Sequence, residues 1–95
     1  MINEDKIYED AIGTWGSGLQ LDMMIEECAE LIQAITRVRR GGDTEQLIEE
    51  LADVIIMTRQ MEKMFGHGRV GLAVQGKLER LQRRLEEHPA WRGTK

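Results

Sequence analysis

The chain has 95 residues, 41% hydrophobic and 32% charged, with 13 Lys and Arg against 17 Asp and Glu for a net charge of −4. That size fits one small domain, residues 1–95, and the composition is neither disordered nor fibrous. The acidic balance argues against a general basic surface, so no stable nucleic-acid binding is expected. A single cysteine, Cys28, excludes an internal disulfide framework and a cysteine zinc site. The acidic, polar start is unlike a signal peptide, and apolar runs such as 54–57 are too short for a bilayer, so a soluble, cytoplasmic protein is expected.

Glycines divide the chain. A short helix is predicted over residues 4–12, with Asn3 as its N-cap. The glycine-rich stretch 13–18 is predicted as a loop. A long helix follows over residues 20–40, where Leu21, Met24, Ile25, Cys28, Leu31, Ile32, Ile35 and Val38 recur at steps of three and four. Arg37, Arg39 and Arg40, then Gly41 and Gly42, are a favourable helix end. Asp43 with Gln46 three residues on opens a third helix, whose stripe of Leu47, Leu51, Val54, Ile55, Thr58 and Met61 runs to about Phe65. A fourth, over residues 70–87, carries Leu72, Val74, Leu78, Leu81 and Leu85, with Pro89 just beyond it. No segment alternates at period two. The expected fold is therefore an all-α helical bundle of about four helices with a long antiparallel central hairpin. A core this small, with only four aromatic residues, points to apolar surface shared between subunits, as a homodimer or homotetramer.

Each hairpin helix places acids beside its apolar stripe. Residues 26–32 and 49–55 align at an offset of 23, and each copy carries two carboxylates three residues apart: Glu27 with Glu30, and Glu50 with Asp53. Such pairs share a helix face. Glu30 lies eleven residues before Gly41 and Asp53 eleven after Gly42, so they stand nearly level across the hairpin. Four converging carboxylates must be protonated, paired with bases or neutralised by metal. Bases are scarce, with none from residue 20 to Arg37 and none from Asp43 to Arg59. Metal is the economical answer. An all-oxygen set suits Mg²⁺, with Mn²⁺ as a substitute, and the Glu-x-x-His pattern of di-iron bundles is missing. A single pair of this kind is usually only a solvated face. Two pairs in register are much less common by chance.

The pattern Glu26-Glu27-x-x-Glu30, nineteen residues, then Glu50-x-x-Asp53 resembles the signature of the MazG-like all-α nucleoside triphosphate pyrophosphohydrolases, relatives of dimeric dUTPases and phosphoribosyl-ATP pyrophosphohydrolase. Trp15-Gly16 before Gln20, and residues 77–81, are also similar to short single-domain members. The resemblance implies hydrolysis of (deoxy)nucleoside triphosphates to the monophosphate and pyrophosphate, in nucleotide-pool housecleaning or control. It implies Glu27, Glu30, Glu50 and Asp53 as Mg²⁺ ligands and Glu26 or Glu27 as the group that orients or deprotonates water. Trp15 is a candidate for stacking on a base, Gln20 for hydrogen-bonding one, and Lys77 with Arg80 for binding pyrophosphate. The alternative is a non-catalytic helical module that binds a nucleotide or a partner. The G-x-G-x-x-G match at 66–71 follows a helix rather than a strand and reads as a turn. His67, His88, Cys28 and the Met cluster read as bystanders, core or interface.

Overall fold

The computed structural model describes residues 1–91, so residues 92–95 of the expected 1–95 domain lie outside the described residues. It is all-α: α1 (Glu4–Arg39), α2 (Thr44–Phe65) and α3 (His67–Glu87), with no strand among the described residues. No helix in that span is long and apolar enough to cross a membrane. The chain divides into two compact units, Met1–Met64 and Phe65–Lys95.

The first unit begins with α1, where Asn3 caps the helix by accepting from the Lys6 amide at 3.1 Å and Glu4 and Asp5 complement the first turn's dipole. The loop expected at 13–18 shrinks to one residue. Only Gly16 (φ 81°, ψ 159°) leaves helical geometry, so the first two expected helices are limbs of one element and three helices stand where four were expected. An isolated glycine costs a helix only about 1 kcal/mol relative to alanine, so Gly13 and Gly18 stay helical. The break is sharp. Gln20 Nε2 donates to the Ala11 carbonyl at 3.2 Å, whereas a straight helix would separate those positions by about 13 Å. The N-terminal limb is held to α2 by an Arg59–Glu4 ion pair and by Lys63, 3.5 Å from both Asp5 and Glu9. Tyr8, buried beneath, donates its hydroxyl proton to Glu4.

Gly16 sits in a backbone region that is essentially glycine's alone. A Cβ there would meet nothing within 4 Å, so the cost of substitution is conformational and not steric. Gly16→Ala is expected to lower unfolding free energy by roughly 1–3 kcal/mol, read from urea denaturation. An unchanged midpoint would show that the limb does not need this bend.

The hairpin turn is closed from both sides. Gly41 (φ 89°) donates to the Val38 carbonyl at 2.9 Å and Gly42 to the Arg37 carbonyl at 2.9 Å, the paired bonds of a Schellman end. Asp43 Oδ1 then accepts from the Glu45 amide at 3.0 Å and starts α2. The broad apolar stripe of α1 resolves into two faces. Gln20, Met24, Glu27, Leu31, Ala34 and Val38 are buried or half-buried, as are Leu47, Glu50, Val54, Met57, Met61 and Met64 on α2. Both sets step by three and four, the spacing of a helix–helix seam. The other apolar face, including Leu21, Ile25, Ile32 and Ile35, is exposed, with Ile25 67% and Ile32 64% accessible.

In the second unit α3 starts at His67, three residues before the expected start. It ends where His88 donates to the Leu85 carbonyl at 3.1 Å. Leu72, Val74, Leu78, Leu81 and Leu85 are all exposed.

Candidate functional site

Two of the paired acids occupy seam positions. Glu27 on α1 and Glu50 on α2 stand where the three-four spacing places apolar groups, and both are half-buried. With Asp53, one turn beyond Glu50 and exposed, they offer carboxylate oxygens all within 4.8 Å of one another. Glu30 is exposed and outside that trio, yet it lies close enough to act on both seam acids. Glu26 is exposed, and as the neighbour of Glu27 it falls on a different helix face.

The electrostatics follow from that packing. Burial pushes the Glu27 carboxyl above its ordinary value of 4.5, and the charges of Asp53, Glu30 and Glu50 push it further. Glu50 is raised from the same 4.5, by burial first and then by Glu30, Asp53 and Glu49. Glu27 Oε2 and Glu50 Oε2 are buried without a hydrogen-bond partner. Ion pairs among the described residues join Lys6, Arg59 and Lys63 to Glu4, Asp5, Glu9 and Asp10, none of them one of these acids. None of these ion pairs relieves the clustered carboxylates. Two orphaned buried oxygens converging with a third carboxylate fit a hard divalent cation, which takes oxygen ligands and supplies the missing charge.

Comparison with protein families decides where this arrangement belongs. The model of the MazG nucleotide pyrophosphohydrolase domain matches residues 18–87. The chain belongs to the MazG family. No curated protein and no solved structure matches it. The MazG match spans Gln20, Glu26, Glu27, Glu30, Glu50, Asp53, Lys77 and Arg80 and starts three residues after Trp15.

The remaining candidates fall in different surroundings. Trp15, next to the break, is 60% exposed. It lines a cavity of about 430 Å³ with Leu19, Gln20, Met23, Met57 and Gln60. Gln20 is buried at 3% exposure, and its amide nitrogen is engaged with Ala11 across the break, so it braces the bend as well as lining the cavity. Lys77 and Arg80 lie one turn apart on α3, both exposed, in the second unit. Gln60 has no part in the sequence reading, and Arg59 enters it only as the first base after Asp43. Their signal is weak: in the mixed stretch from Val54 to Met64 a polar residue reads as the wet face unless the seam register is known.

Proposed function

We propose that this MazG-family protein hydrolyses (deoxy)nucleoside triphosphates to the monophosphate and pyrophosphate, with Mg²⁺ or, as a substitute, Mn²⁺. The observation that carries the reading is the pair of buried, unpartnered oxygens on Glu27 and Glu50 beside Asp53. Glu27, Glu50 and Asp53 hold the cation, with Glu30 completing the set. When bound, the cation supplies positive charge against the phosphate oxygens and the charge that develops as water attacks the α-phosphorus. Glu26, outside the trio, or Glu27 orients the attacking water and accepts its proton. Trp15 and Gln20 take the base side of the nucleotide, and on the second unit, taken by itself, Lys77 with Arg80 is a candidate pair for binding pyrophosphate.

The whole chain acts as one cytoplasmic domain in nucleotide-pool housecleaning or control, assembled as a homodimer or homotetramer. The open apolar face of α1, with Ile25 and Ile32 about two-thirds exposed, supports assembly, because a face of that kind is covered in a stable soluble protein. Mass in solution reads the assembly directly.

The decisive assay is pyrophosphate release from a panel of standard and damaged NTPs and dNTPs, with Mg²⁺ and with chelator. Release is expected only with metal. No release from any triphosphate, or release indifferent to chelator, overturns the reading.

A further inference from the structure

The cavity beside the acids carries polar chemistry that metal binding leaves unused. Its apolar lining comes from Leu19, Met23, Met57 and Trp15. Its volume of about 430 Å³ lies in the range of small-ligand sites. It stands one helical turn from the carboxylates on both strands of the hairpin: Met23 precedes Glu27 by four residues and Met57 follows Asp53 by four. A group anchored at the acids therefore has a neighbouring slot of small-ligand size along the same groove.

Gln60 lines that slot and is 6% exposed. Its Nε2 donates to Met57 Sδ at 3.7 Å, and its Oε1 is buried with no partner at all. A buried carbonyl oxygen is normally satisfied, and one that is not is costly to keep. The only other side-chain amide at the slot, Gln20, has its nitrogen committed to the Ala11 carbonyl. The slot thus offers an unpartnered acceptor on Gln60, while the amide nitrogens of Gln60 and Gln20 each already hold one partner.

We infer that Gln60 is a specificity-determining residue, and that the slot takes nucleobases bearing an exocyclic amino group, the cytosine and adenine type, over their keto counterparts. This rests on the pyrophosphohydrolase reading. An amino group donates to Gln60 Oε1. A keto oxygen at the same corner brings a second acceptor against the first and leaves both unsatisfied. Trp15 stacks on the ring face and Met23 and Met57 close the other side.

Two substrate pairs differ in the relevant group: dCTP against dUTP, and dATP against dITP. The wild-type protein with Mg²⁺ is expected to show kcat/KM about tenfold or more higher for the amino member of each pair, the loss associated with one unmade buried hydrogen bond. Gln60→Met, similar in length and without the acceptor, is expected to bring both ratios close to one and to raise the melting temperature. A second measurement does not need turnover. In a Trp91→Phe background Trp15 is the sole indole, and its fluorescence is expected to be quenched at lower dCMP than dUMP, with the gap closed by Gln60→Met. Equal ratios in the wild type, discrimination that survives in a folded Gln60→Met protein, or no quenching by either monophosphate overturns the inference. Loss of all turnover with dCMP selectivity intact would instead count against the hydrolase reading alone.

Discussion

Glu50→Gln is expected to reduce metal-dependent pyrophosphate release to background while making the metal-free protein more stable. Both effects come from one carboxylate. Glu50 occupies a seam position with Oε2 buried and unpartnered, and burial and its acidic neighbours raise its pKa. The amide keeps the shape and removes the charge, so repulsion within the trio of Glu27, Glu50 and Asp53 falls and the apo protein melts higher. The same change removes an anionic ligand from a cation whose contribution to the transition state is worth several kcal/mol, roughly a 10³-fold loss in rate. Stability rising as activity disappears is characteristic of a site that the fold tolerates for its chemistry. Glu49→Gln, on the neighbouring exposed position, serves as control and should stay near wild-type release. Retained release in Glu50→Gln would remove that residue from the site. Loss of release with a lowered melting temperature would point to damaged packing, not to a lost ligand.

How much of this was legible in the sequence depends on the range of the interaction. Local signals read through directly: Asn3 and Asp43 cap their helices, and the Gly41-Gly42 end closes as glycine and basic residues imply. The matched acids were also legible, because i, i+3 spacing and a short turn fix their relative height before any tertiary contact is known. What the pattern did not convey was which half of a wide apolar stripe faces the partner helix. Leu21, Ile25, Ile32 and Ile35 have the same periodicity as the buried residues and are left open, while Glu27, Glu50, Gln20 and Gln60 go inside. Hydrophobicity ranks residues, but a seam is chosen by register, and here the register turns these polar groups inward. The fold-back at Gly16 read in the sequence as a loop over residues 13–18, since one residue's φ and ψ decide between a long loop and a single bend.

In the presence of chelator the melting temperature is expected to fall as pH rises above 4.5, and added Mg²⁺ is expected to reverse that trend. Glu27 and Glu50 have folded-state pKa values above the ordinary 4.5, through burial and neighbouring acids. For a raised carboxyl the folded state binds more protons than the unfolded chain. Ionisation is then penalised only in the folded form, and stability drains away as pH climbs above 4.5 and through the raised values. Glu4 works in the opposite sense: its hydrogen bonds from Tyr8 and Arg59 hold its pKa below 4.5, so its contribution is lost on acidification beneath that value and leaves the higher window to the seam acids. A divalent cation needs the ionised carboxylates, so its binding strengthens over the same range in which the apo protein weakens. The gap between the two melting curves therefore widens with pH, and the double variant Glu27→Gln with Glu50→Gln should flatten both. A gap that is constant across the range would mean that the cation, if it binds, binds somewhere other than these two oxygens.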